Sequence, residues 1–210
     1  MKLFLEFVEM KACGIGIRVH SGWGALVAIS GEPGAVEVID RLRVEIIDRS
    51  TPGAAQPYHF AKKLQLRAAE KYIVSSALAA AKLALSAMAE VCDELRSRNY
   101  KVVAAAILLS SGRPLPDLEG TLASHALIHT AEGEFFRQAF REACASLKIP
   151  VTGIRERDLE QHAKAALGTD AAPLKKRIAG LGKALGPPWT ADQKAAALAA
   201  AIVLGQKHLK

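Results

Sequence analysis

The chain has 210 residues, half of them apolar, so it can bury a continuous core without disulfide or metal staples; one domain over 1–210 is expected, with 1–9 as an N-terminal extension. Lysine and arginine number 28 against 21 aspartates and glutamates, and the net charge of +7 favours an anionic partner such as DNA or RNA, although an aromatic content of 5% leaves few side chains for base stacking. Three widely spaced cysteines, Cys13, Cys92 and Cys144, with no Cys-x-x-Cys pair and no secretory leader before them, argue against a disulfide framework and for a reducing, cytoplasmic setting.

In chain order, ACGIGIRV (12–19) and WGALVAIS (23–30) are short apolar runs separated by the turn His20-Ser21-Gly22, and they predict two antiparallel strands. Gly31, Pro33 and Gly34 punctuate the chain before AVEVIDRLRVEIID, which alternates strictly. Val36, Val38, Asp40, Leu42, Val44 and Ile46 are expected on one face, so a third strand completes a meander. From Pro57 to about Arg98 the period becomes helical, which predicts one long helix or two in line. Lys82 interrupts the alanine-rich part at 76–92, and the longest apolar run, AAAIVLG near the C-terminus, falls short of the ~20 residues of a membrane span. A soluble protein with no membrane partner is expected.

KVVAAAILL (101–109) is nearly continuous in apolar residues, the pattern of a strand covered on both faces. A loop with Gly112, Pro114 and Pro116 follows, then a helix expected from about Thr130 to Leu147, a short strand at 150–154, and helical segments broken at Gly168, Gly186, Pro187 and Pro188. The order β β β α β α β α α predicts an α/β fold, a mixed five-stranded sheet with helices on both faces.

This order resembles the ribonuclease H-like superfamily, and within it the Holliday-junction resolvase branch. The resemblance is carried by GIRVHSGWGALV (16–27), EGEFFRQAFREACASLKIPV (132–151), the segment from Asp158 through GLGKALG, and TADQKAAALAAAIVL (190–204). It implies branched DNA as a partner and phosphodiester hydrolysis by two divalent metals, which carboxylates on the first strand, at the end of the fourth strand and in the last helix would hold. The first-strand position here is Arg18, the fourth-strand position falls near Ser110, and Ala195 replaces a second carboxylate of the last helix. Only Asp192 matches, with Asp117 and Glu119 as substitutes in the loop after the fourth strand. Asp192 has a second reading: Thr190 and Gln193 fit a capping box, which puts Asp192 in a first helical turn, where the dipole stabilises a carboxylate.

The resolvase-like topology would bring His20, His59, His125 and His129 to the carboxyl edge of the sheet, where open α/β sheets bind ligands. Imidazoles suit zinc and related metals, and His125 and His129 share a face if their segment is helical; Glu132 or Glu134 could complete a set. An anion site needs no metal: His129, Arg137 and the free N–H groups of the helix start could hold a phosphate. The plainest alternative is structural, with Thr130 as a cap, Glu132 and Glu134 on the dipole, and Phe135, Phe136 and Phe140 in the core. Lys175, Lys176 and Arg177 form a basic helical face suited either to phosphates or to solvent. Gly14-Ile15-Gly16 leads into a hairpin and lacks the third glycine of a dinucleotide fingerprint.

Two function classes follow. One is a resolvase-related nucleic-acid-binding protein, a nuclease if Asp192, Glu132 and Glu134 or the histidines hold Mg, Mn or Zn. The other is a structural or interaction protein without a cofactor, homodimeric through its alanine-rich helix. An actin-like ATPase fits poorly, because Arg18-Val19-His20-Ser21-Gly22 stands where an acidic, glycine-bearing phosphate turn is needed.

Overall fold

Lys11–His20 (β1), Trp23–Ser30 (β2) and Glu37–Glu45 (β3) form the expected antiparallel meander, and Tyr100–Leu109 (β4) and Val151–Arg155 (β5) add to β1 in parallel, giving the order β3-β2-β1-β4-β5. The computed structural model describes residues 9–32, 35–110 and 114–208; the expected extension up to residue 8, Pro33, Gly34, Ser111 and Gly112 lie outside the described residues. Eight α-helices complete the described chain: α1 (Pro57–Ala61), α2 (Leu66–Ser97), α3 (Leu118–Ala123), α4 (His125–Ser146), α5 (Leu159–Leu167), α6 (Ala171–Gly180), α7 (Gly182–Leu185) and α8 (Ala191–His208).

The sheet separates two cores. On one face α5, α6 and α8 cover Val27, Ile29, Ala104, Ala106 and Leu108. On the other, α2 and α4 cover Ile15, Ile17, Leu26, Ala105 and Ile107. β4 carries residues of both clusters, which is why its sequence is an unbroken apolar run.

β3 departs from strict alternation. Ala28 pairs with Asp40 but Ile29 pairs with Val38, so Ile39 is an extra residue, a bulge. One inserted residue flips the faces on either side of it. Val36 and Val38 therefore join the α8 core, while Ile39, Leu42, Val44 and Ile46 join the α2/α4 core.

α8 approaches the sheet closely enough to touch the β1 backbone. A Cβ on Gly14 would lie 2.5 Å from the Ala200 carbonyl oxygen, and one on Gly16 only 1.8 Å from that of Ala196. These glycines are sites of backbone contact, as their place in a strand implies. The alanines of α8 allow the same approach from the other side; Ala196, Ala197, Ala199 and Ala200 are all fully buried.

α4 begins at His125, five residues before the expected start. Thr130 is therefore inside the helix, where its hydroxyl donates to the Ala126 carbonyl at 3.1 Å and caps nothing. α2 buries Ala80, Ala84, Met88, Val91 and Leu95, one stripe at helical spacing. Its N-terminal half is different: Val74 and Leu78 are 59% and 69% exposed. By length and composition α2 could cross a membrane, with a mean hydropathy of 1.5 over an 18-residue window of which 17% is buried.

Two outcomes follow from this packing. Gly16→Ala should cost about 3 kcal/mol or more of unfolding free energy, because backbone on both sides prevents relaxation; a urea titration reads it directly. Burial pushes the Cys13 and Cys144 thiols up to about 12, which keeps them protonated. A thiol reagent at about pH 8 should leave both unmodified until the protein is unfolded, Cys92 being the half-buried exception.

Candidate functional site

Side chains alternate along β1, so Gly14, Gly16, Arg18 and His20 all face α8. The two glycines lie under the α8 backbone, and the next two positions reach the helix start. Arg18 Nη1 is 2.7 Å from Asp192 Oδ1, and His20 Nε2 is 2.9 Å from Asp192 Oδ2. From the opposite side, Arg18 Nε and Nη2 donate to the two oxygens of Glu156, just past β5, at 3.0 and 3.2 Å. Thr190 and Gln193 exchange the hydrogen bonds of the expected capping box, 2.9 and 3.3 Å, and hold Asp192 in the first turn of α8.

The chain entering α8 is pinned as well. Arg41 on β3 donates to the carbonyls of Leu185, Gly186 and Pro188, and Trp189 Nε1 donates to Ile178 O at 2.8 Å.

Two close divalent cations require several carboxylates with oxygens free to coordinate. Here both Asp192 oxygens and both Glu156 oxygens face Arg18 or His20, and a guanidinium sits among them. This donor set does not fit a two-metal centre. Asp117, a substitute on sequence grounds, caps α3 by accepting from Gly120 N at 2.8 Å.

His20 stands apart from the other three histidines, stacked on Trp23 with centroids 4.2 Å apart. His59, His125 and His129 do come together, on α1 and the start of α4, and their ligand atoms all lie within 4.8 Å of one another. Ring centroids are 5.6 Å apart for His59 and His125, 4.9 Å for His59 and His129, and 4.4 Å for His125 and His129. Glu132 supports this group from beneath. Its Oε1 accepts from the backbone N–H groups of Tyr58 and His59, both at 3.0 Å, and lies 3.1 Å from His59 Nδ1. Glu132 is 4% exposed, burial pushes its pKa up against the opposing pull of His59, and Oε2 has no partner among the described residues.

Glu134 is not with the histidines; it pairs with Arg141 at 2.5 Å and Arg137 at 3.4 Å. Arg137 is 8% exposed, with Nε donating to Leu108 O at 3.2 Å and its guanidinium folded over Gly133. Arg137 and His129 are eight positions apart on α4, about 12 Å along the axis, so they do not form one anion cradle with the helix start. Lys175 and Lys176 line a groove of about 520 Å³ between α5, α6 and α8, where Lys175 pairs with Glu160. Arg177 is on the exposed side of α6, and His162 is on α5.

Beside Asp192 lies a second cleft of about 340 Å³, lined by Trp23, Arg41, Arg43, Leu42, Pro188 and Gln193. The Arg43 guanidinium lies 3.6 Å from the centre of the Trp23 ring. Trp23, Arg43 and Glu156 are absent from the sequence-based site. Trp23 opposite Glu45, with Arg43 two residues back on β3, is a diagonal cross-strand pair that the meander register alone makes visible.

No family model matches the chain, and no curated protein matches it. Among solved structures, RuvC of T. thermophilus in complex with a Holliday junction substrate is 14% identical with a TM-score of 0.52, over 94% of this chain and 96% of that one. A second Thermus thermophilus RuvC structure is 15% identical with a TM-score of 0.50, over the same shares of both chains. At such identity the likeness is one of architecture: this chain has a ribonuclease H-like α/β fold of the kind seen in RuvC.

Proposed function

We propose that this protein is a resolvase-related nucleic-acid-binding protein that has lost the acidic nuclease centre. The carrying observation is Arg18, bound to Asp192 and Glu156 at the carboxyl edge of the sheet. A fixed cation among the carboxylates takes the place of mobile divalent charge, and it supplies neither a bound water nor a clamp on the leaving oxygen.

Support for binding comes from the cleft beside it. Arg43, half exposed and held on the Trp23 ring, brings a cation to that cleft, and the net charge of +7 favours a phosphate backbone. The RuvC structure with a Holliday junction substrate makes branched DNA the first ligand to try.

The test uses labelled four-way junction, duplex and single-stranded DNA and RNA with Mg or Mn, run on native and denaturing gels. The expected result is a salt-sensitive shift without cleavage. Arg43→Ala should weaken that shift with every substrate and lower its salt slope by about 1, as the loss of one phosphate contact does. Cleavage that disappears in Asp192→Asn would restore Asp192 as a metal ligand and overturn the loss of the centre; no shift with any substrate would overturn binding.

A second reading is favoured by the exposed stripe on α2. Val74, Leu78 and Leu85 are exposed at helical spacing, on a helix whose alanines allow close approach. A second copy of the chain covering this stripe would make the protein a homodimer. Light scattering should then give a dimer that Leu78→Glu converts to monomer, whereas a monomer at every concentration would sink this assembly.

A further inference from the structure

We infer that His59, His125 and His129 bind one zinc-class transition-metal ion, with Glu132 as the carboxylate that orients His59. The inference rests on the geometry of α1 and α4 and is independent of the nucleic-acid reading.

The chemistry of His59 is fixed by its neighbour. Glu132 Oε1 already accepts two backbone N–H groups, so it is an acceptor toward Nδ1, and Nδ1 carries the hydrogen. Nε2 of His59 is then the nitrogen with a lone pair. A ligating histidine that donates its other N–H to a carboxylate is the usual outer shell of a zinc site, where the carboxylate sets the tautomer and raises basicity. A buried glutamate with one oxygen unpartnered is costly beside neutral groups. A dication bound to His59 Nε2 would stabilise its charge.

The spacing fits as well. His125 and His129 are one turn apart on α4, and His59 approaches from α1, so two elements contribute, as in a closed tripod. With Zn–N of about 2.0–2.1 Å, three imidazoles in tetrahedral geometry have nitrogens about 3.4 Å apart and ring centres about 5 Å apart. The centroid distances, 4.4 to 5.6 Å, already bracket that value. The nitrogens need to close from 4.8 Å at most, and His125 and His129 are exposed enough to turn about their side-chain bonds.

Three nitrogens with no carboxylate in contact with the metal favour Zn over Mg or Mn, which prefer oxygen. The fourth position lies on the exposed side, open to water or another small ligand.

The experiment strips untagged protein with a chelator and measures uptake by equilibrium dialysis with elemental analysis, using Zn²⁺ and, for spectroscopy, Co²⁺. About one equivalent of Zn²⁺, tetrahedral Co²⁺ absorption bands and a higher thermal midpoint are expected. The double variant His125→Gln, His129→Gln changes two exposed side chains and so should fold, and it should lose the bound metal. Glu132→Gln should weaken affinity about 10- to 100-fold, while His162→Gln on α5 should bind as the parent does. No uptake by the parent protein, or uptake that the double variant retains, would overturn the site. Neither readout involves nucleic acid, so failure here leaves the gel-shift result to stand or fall separately.

Discussion

The structure depends on the contact between the glycines of β1 and the backbone of α8. Two residues along a strand rise about 6.6 Å and four along a helix about 6 Å, so the two elements keep step when they run side by side. Ala200 lies over Gly14 and Ala196 over Gly16, and the next step sets Asp192 opposite Arg18. A larger residue at either glycine would push the helix off the sheet and open this register. The ion pair is therefore a consequence of backbone packing, and long-range attraction between the charges is not needed to explain it.

That register decides what the carboxyl edge can do. With an acid at position 18, two carboxylates would face each other across the gap, and a divalent cation would be needed to hold them there. With arginine the balance is reversed: one guanidinium meets Asp192 and, bidentately, Glu156, so charges are compensated within the protein. The pairs are about one-quarter to one-half exposed, which keeps them close to solvent and limits their worth to stability. Their effect lies in the space and charge that they occupy at this edge of the sheet.

Much of the fold is legible in the sequence because periodicity reports burial directly. The continuous apolar run of β4, the glycine punctuation of the meander and the helical stripe of α2 are each local signals, and the order of elements follows from them. The bulge at Ile39 is not legible, since the letters alternate through it and only pairing with β2 exposes the extra residue. The start of α4 was obscured by Thr130, a good cap by type; Ser124 holds the cap position without a side-chain bond. The meeting of His59, His125 and His129 is legible from topology. Glu156 and Trp23 are not, because what gives them meaning is a partner far away in sequence: Arg18 for the one, the Arg43 stack for the other.

Glu132 shows why residue type alone is a weak guide to role. A glutamate beside two histidines suggests a direct ligand, yet its carboxylate points away into the protein and caps the start of α1 through Tyr58 N and His59 N. The same oxygen binds His59 Nδ1, so one buried carboxylate holds α1 against α4 and sets which imidazole nitrogen keeps its lone pair. Such a group must be buried to cap a helix inside the protein, and burial is what raises its pKa. The features that would make it a poor direct ligand are the ones that make it an effective support. The histidine cluster is thus joined to the fold through α1 and α4 on the α2 side of the sheet, and the Arg18 centre through β1 and α8 on the other, with no residue in common.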